Sequence, residues 1–198
     1  MDRPRLGDRG TICAGKMVAM IRLIGPGGAG KSMIGALLAD RLEVPFADLD
    51  WHFTRRLGDI SEYIDRLGYN AYARENVETY CSLFRAPHRP GVVALSSGFM
   101  TYVHHIHPEY RGVVHELKGS PTTFVLLPSL DREACVAETV RRQTARPFGR
   151  SVVREEAVIR ERFEIYMALP MRRFETMRPV SEVADNLAPR CCSMTLDS

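Results

Sequence analysis

The sequence predicts an α/β protein in three layers, a parallel sheet with helices on both faces. Two observations carry this. Short β-branched, apolar runs alternate with stretches whose apolar residues recur at helical spacing. A glycine-rich run, Gly25-Pro26-Gly27-Gly28-Ala29-Gly30-Lys31-Ser32, stands between the first such strand and the helix after it. The length of 198 residues suits one domain, and 45% hydrophobic residues suffice for a core, which excludes wholesale disorder.

Taken in order, residues 1–16 form a polar, disordered leader, with Met17 an alternative start. A strand over Met17–Ile24 runs into the glycine-rich loop. Met33, Ile34, Leu37, Leu38 and Leu42 then recur every three or four residues, so a helix follows. Val44–Asp48 is a second strand, which Pro45 marks as irregular or near an edge. Helices cover 60–67 and 71–86, the latter with Tyr72, Val77, Tyr80, Leu83 and Phe84 on its apolar face. Pro87 to Gly91 breaks the chain before a buried strand at Val92–Leu95.

A helix over 108–118, a strand over Thr122–Leu127 and a helix from Asp131 to Thr144 come next. Pro147 and Gly149 place a loop at 145–151, followed by an amphipathic helix over Val152–Leu169. Phe174–Met177 is the last strand and Ser181–Leu187 the closing helix. The folded unit is therefore 17–187, with a lid around 141–155 and a tail at 188–198.

Composition narrows the class. No apolar stretch approaches the ~20 residues of a membrane helix, and the first sixteen residues carry charges where a secretory signal needs an apolar centre. Five cysteines without a C-x-x-C pair argue against a disulfide framework or zinc knuckle. These features predict a soluble, cytoplasmic protein without a membrane partner. The net charge of +3 is too small to imply nucleic acid, yet 24 of the 27 basic residues are arginine, whose planar fork suits carboxylate and phosphate. His104, His105 and His107 are an H-H-x-H without evident further ligands, and read as surface or loop histidines.

Gly25 to Ser32 satisfies G-x-x-x-x-G-K-[ST], where the mechanism requires it, after a strand and before a helix. Gly25, Gly27, Gly28, Ala29 and Gly30 can curl so that backbone N–H groups, with that of Met33, meet phosphate oxygens at the positive end of the helix. Lys31 reaches the β and γ phosphates of ATP or GTP, and the Ser32 hydroxyl holds Mg²⁺. Asp48 and Asp50, two apart at the end of the second strand, point the same way. One carboxylate near Mg²⁺ and another orienting the attacking hydroxyl is what phosphoryl transfer needs; the pair equally suits turn or helix-cap aspartates.

At this point the chain resembles the shikimate kinase family of small P-loop kinases. The phosphate loop matches in full, and Phe46-Ala47-Asp48-Leu49-Asp50 is similar to the family's aromatic–x–Asp–x–Asp strand end. The resemblance implies a nucleoside-monophosphate-kinase-like fold with about five parallel strands. It gives Asp48 a water-mediated role at Mg²⁺, and Asp50 the substrate hydroxyl. Tyr72-Ala73-Arg74 resembles the segment whose arginine grips a substrate carboxylate, and Arg162-Phe163-Glu164-Ile165-Tyr166 the helix carrying the second such clamp, Arg162. Arg146-Pro147-Phe148 resembles the lid motif whose arginine reaches the transferring phosphate, and Arg142 falls on the adenine side. These matches run from about residue 17 to 187.

One stretch departs from the family. Where the family carries Gly-Gly-Gly after the third strand, this chain has Leu95-Ser96-Ser97-Gly98-Phe99, so only Gly98 remains to let the substrate ring approach. Ser97 and Phe99 in place of glycines narrow the space and add a hydroxyl and an aromatic edge, which admits related small alcohols, with or without a carboxylate. The expected protein is a monomeric or weakly dimeric Mg²⁺-ATP-dependent kinase with Lys31, Asp50 and Arg146 catalytic. Its acceptor is a small metabolite bound by Asp50, Arg74, Gly98 and Arg162. A kinase for a sugar acid or nucleoside monophosphate, and a nucleotide-binding regulator without transfer activity, are the alternatives.

Overall fold

Successive residues along the central strands bury into opposite cores, and this alternation organises the molecule. The computed structural model describes residues 11–13, 16–85, 87, 89–144 and 152–192. In chain order these form β1 (Thr11–Cys13), β2 (Lys16–Val18), β3 (Ile21–Ile24), α1 (Lys31–Arg41), β4 (Phe46–Asp48), α2 (Leu49–Leu57), α3 (Ile60–Leu67) and α4 (Tyr69–Arg85). There follow β5 (Val92–Ala94), a 3₁₀ turn at Phe99–Thr101, α5 (Tyr110–Gly119), β6 (Thr123–Leu127), α6 (Arg132–Thr144), α7 (Val152–Met167), β7 (Arg172–Glu175) and α8 (Val180–Cys192).

Strands β4-β5-β3-β6-β7, in that order, make one all-parallel sheet. On one face Ile21, Leu23, Val92, Phe124 and Leu126 pack against Ile34 and Leu38 of α1 and Val183 and Leu187 of α8. The residues between them, Val93 and Val125 with Ile24 and Leu127, join a larger core with Tyr80 and Phe84 of α4, Tyr110 of α5 and Tyr166 of α7. Burial on both faces is what a parallel sheet demands, and it explains the unbroken apolar runs of β5 and β6.

Because the strands are parallel, their carboxyl ends share one edge. Asp48 and Leu23 both pair with Ala94, so Asp48 stands level with the end of β3, two strand spacings away, or roughly 10 Å. Four loops therefore open together: the glycine-rich loop, the start of α2, the Ser96–Gly98 turn and the segment after β6.

Several boundaries differ from expectation. The strand expected over Met17–Ile24 is two elements: Lys16–Val18 pairs antiparallel with Thr11–Cys13, and Ile21–Ile24 enters the sheet. The leader is thus not disordered throughout, since Thr11, Ile12 and Cys13 have the composition of a strand. Helix α2 escaped notice because Leu49 and Phe53 are its only buried residues, too few to display a period. The last strand starts two residues early, at Arg172; it is an edge strand with three exposed residues, so no apolar pattern marks it. Helix α8 continues past Leu187 into the expected tail, through Pro189 to Cys192. Among the described residues no helix is long and apolar enough to cross a membrane.

One polar residue interrupts the larger core. Arg22 alternates with Ile21 and Leu23, so its side chain enters the α4–α5 side, where the residue is 2% exposed. It pairs with the Glu116 carboxylate and donates to the Tyr80 hydroxyl at 3.2 Å and to Ser120 Oγ at 3.3 Å. Burial pushes the Tyr80 phenol up to about 12, so it stays neutral and accepts from the guanidinium. Replacing Glu116 by Ala leaves this cation without its counter-charge. The expected cost is about 3 kcal/mol, a fall in Tm of roughly 6–12 °C for a chain of this size, checked by thermal denaturation.

Candidate active site

The phosphate loop begins where β3 leaves the sheet. Gly25 has φ +147°, and a Cβ there would lie 2.1 Å from the Leu126 carbonyl oxygen of the neighbouring strand. Only glycine allows this approach. Ala29 tucks its methyl group into the α1–α8 core and anchors the loop from beneath. Gly30 precedes α1 in the left-handed region; no side chain caps the helix and its first turn carries no acidic residue. The positive end of α1 is therefore turned on the loop without internal neutralisation. Lys31, only 9% exposed, points its ammonium into the curl and donates to the carbonyls of Gly25 at 2.7 Å and Pro26 at 2.8 Å. Ser32 and Met33 are exposed in the same turn.

Arg142 approaches the loop from α6. Its guanidinium donates to Gly28 O (3.0 Å), to Thr176 O (3.0 Å) and Oγ1 (3.3 Å), and to Glu138 Oε1 (2.6 Å). Gln143 stands next to it against Gly27. Arg142 thus lies beside the expected nucleotide site and braces the loop against the end of β7.

Asp48 and Asp50 both reach the same sheet edge, but not through strand alternation. Asp48 ends β4 and caps α2, its Oδ1 accepting from the Trp51 N–H at 3.1 Å. Asp50 lies in the first turn of α2, so helical winding aims its carboxylate toward β5, where Oδ1 accepts the hydrogen of Ser96 Oγ. Burial lowers the neighbouring His52, against the opposing pull of Asp48. Trp51 is 53% exposed and lies under Arg55, 4.9 Å from guanidinium carbon to ring centre.

The Ser96–Gly98 turn after β5 is the meeting point of the acceptor side. Ser96 Oγ accepts from Asn76 Nδ2 at 2.9 Å, and Asn76 Oδ1 accepts from the Tyr102 hydroxyl at 3.1 Å. Tyr72 and Tyr102 are both pushed up, first by burial, with the charge of Asp50 adding to it. On the other flank, Arg162 of α7 donates to Ser97 Oγ at 3.2 Å and to the Tyr69 hydroxyl at 3.4 Å, while the Tyr166 hydroxyl donates to Ser97 O at 2.8 Å. Gly98 sits between: a Cβ on it would fall 2.4 Å from Tyr69 Oη and 3.1 Å from Arg162 Nη2.

The structure thus groups Asp50, Gly98 and Arg162. Arg74 shares none of these hydrogen bonds. Helix α4 turns Tyr72, Ala73 and Asn76 inward and leaves Arg74, between them, exposed. Asn76, Ser96, Tyr69 and Tyr102 are the residues that sequence reasoning passed over. A polar Asn76 four places after Tyr72, on an apolar helix face, was the available signal. Arg146 lies outside the described residues, as does the 145–151 part of the expected lid. The arginines flanking that segment are engaged in pairs, Arg160 with Glu133 and Glu156, Arg132 with Glu164, and Arg141 with Glu138. His107 pairs with Glu78, His104 and His105 are exposed, and no metal-binding cluster of acidic, histidine or cysteine side chains occurs among the described residues.

Known proteins resemble this chain in sequence and in fold. A family model described as shikimate kinase matches residues 27–190. A shikimate kinase of Thermobifida fusca is 32% identical over 168 residues, 83% of this chain and 90% of that protein. One from Legionella pneumophila (strain Corby) is 33% identical over 175 residues, 86% of this chain and 93% of that protein. Among solved structures, the shikimate kinase of Acinetobacter baumannii in complex with shikimate superposes with a TM-score of 0.67 at 23% identity, covering 93% of this chain and 98% of that one.

The brace on the phosphate loop has a pH signature. Hydrogen bonds from Arg141, then Arg142, hold the Glu138 carboxyl down to about 2, against an ordinary 4.5. A carboxylate with a depressed folded pKa contributes stability that is full above its unfolded pKa and is lost as pH falls toward the folded one. Wild type should therefore exceed Glu138→Gln in stability at pH 7, and the difference should shrink from pH 4.5 toward 2, as measured by denaturant titrations at a series of pH values.

Proposed function

The chain belongs to the shikimate kinase family, and from that premise we propose how its residues divide the work of phosphorylating an acceptor alcohol. It is a kinase with ATP as co-substrate, transferring a phosphoryl group to a hydroxyl of a small metabolite. We take the acceptor to be shikimate, as in the relatives. The observation that carries this reading is the position of Gly98, with Asp50 held at one end of its turn and Arg162 at the other. A carboxylate to receive a hydroxyl proton and an arginine to bind a carboxylate thus flank one bare glycine.

In this reading the loop from Gly25 to Gly30, with the N–H groups of Lys31, Ser32 and Met33, receives the phosphates at the uncapped end of α1. Lys31 is already directed into the curl and transfers its hydrogen bonds from two carbonyls to phosphate oxygens. Arg142 holds the loop's shape from the adenine side. Arg162, with Ser97 and Tyr69 around it, binds the acceptor carboxylate through paired hydrogen bonds. Asp50 orients the acceptor hydroxyl and takes its proton. Arg146, from the lid, neutralises charge on the transferring group.

The residues suit Mg²⁺: Ser32 is exposed at the helix start beside the loop, and the cap bond of Asp48 uses Oδ1. Ser32, and Asp48 through water, would hold the ion, which when bound neutralises phosphate charge. Excluding water from the closed site keeps ATP from hydrolysis.

ADP release with Mg-ATP and shikimate tests the reading. Transfer should require shikimate and fall roughly a hundredfold or more in Lys31→Ala. In Asp50→Asn it should fall roughly 10²–10⁴-fold, with ATP affinity nearly unchanged. Turnover of a sugar acid or a nucleoside monophosphate in place of shikimate would overturn the acceptor, and tight ATP binding without transfer to any alcohol would overturn the kinase reading. Equal loss of ATP binding and transfer in Asp50→Asn would overturn the base.

A further inference from the structure

Two serines in the stretch that departs from the family's glycine run each touch one functional side chain. Ser96 donates to the carboxylate of Asp50, and Ser97 accepts from the guanidinium of Arg162. We infer that Ser96 and Ser97 are positioning residues with separate tasks, Ser96 orienting the base for transfer and Ser97 setting the arginine for acceptor binding. This rests on the roles given above to Asp50 and Arg162.

The direction of the Ser96 hydroxyl is imposed from behind. Asn76 and Ser96 are 0% and 2% exposed, so water does not compete for their bonds. Tyr102 donates to the Asn76 carbonyl oxygen, which fixes the amide so that its NH₂ faces Ser96. That NH₂ occupies a lone pair of Ser96 Oγ, and a hydroxyl has one hydrogen to give. Tyr72 also bonds Ser96, and the Ser96 hydrogen points at Asp50 Oδ1. A chain of three donations, Tyr102 to Asn76 to Ser96 to Asp50, thus runs from the aromatic core to the base. It holds one carboxylate oxygen and leaves the orientation of the other determined. Glycine at 96 offers no such donor, and Asp50, on an exposed first turn of α2, would lose this bond.

Ser97 acts on the opposite flank. Its own carbonyl is pinned by the Tyr166 hydroxyl, and its Oγ takes a hydrogen from Arg162 Nη1 while Tyr69 takes one from Nη2. The guanidinium plane is thereby set before any carboxylate arrives. This lowers the ordering cost of binding rather than the barrier to transfer.

The two tasks predict a split. With Mg-ATP and shikimate as probes, Ser96→Ala should lower kcat roughly tenfold to a hundredfold and leave the acceptor KM nearly unchanged. Ser96→Thr, which keeps the hydroxyl, should restore kcat. Ser97→Ala should raise the acceptor KM about tenfold with kcat nearly unchanged. Ser96→Cys fills the same space with a weak donor, so a kcat loss there with a wild-type thermal melt separates orientation from folding. Unchanged kcat in Ser96→Ala, equal impairment of Ser96→Thr and Ser96→Ala, or both serine variants moving the same constant would overturn the inference, provided Asp50→Asn abolishes transfer. An Asp50→Asn enzyme that still transfers phosphate would overturn the base assignment and this inference with it.

Discussion

Everything at the site depends on the parallel register that makes Asp48, Ala94, Leu23 and Phe124 one row across the sheet. Parallel strands need crossovers, the crossovers here are helices, and each must start at the carboxyl edge. The groups that handle phosphate and those that handle the acceptor thus come from loops that open on the same side, although they are distant in sequence. Both faces of the sheet must be buried for that register to persist, which is the work of the α1–α8 layer on one side and the tyrosine-rich layer on the other.

The nucleotide half of the site was legible because its parts are contiguous. A backbone nest needs glycine in fixed places and a lysine right after them, so the requirement is written in eight successive residues. The geometry of Gly25 against Leu126 shows how strict that requirement is. Strand and helix order was legible for a related reason, since burial on two faces leaves dense apolar runs in β3, β5 and β6.

The acceptor half was legible only through resemblance. Its groups come from α2, α4, the turn after β5 and α7, and meet through tertiary packing alone. Two positions along a helix are about 200° around its axis, and that separates Arg74, exposed, from Asn76, in the core. Asp48 and Asp50 were placed at the right edge for a partly wrong reason, because the strand ends at the first of them and a helix begins. Along α6 and α7 most of the described arginines face glutamates.

The contacts of Arg142 bear on the mechanics of the domain. A single side chain ties the floor of the phosphate loop, at Gly28, to the end of the edge strand, at Thr176, while rooted in α6. Helix α6 is thereby welded to the sheet at its carboxyl end and cannot lift as a rigid rod without tearing three bonds. Stiffness at the end of α6 and integrity of the glycine-rich loop are, in this molecule, one property.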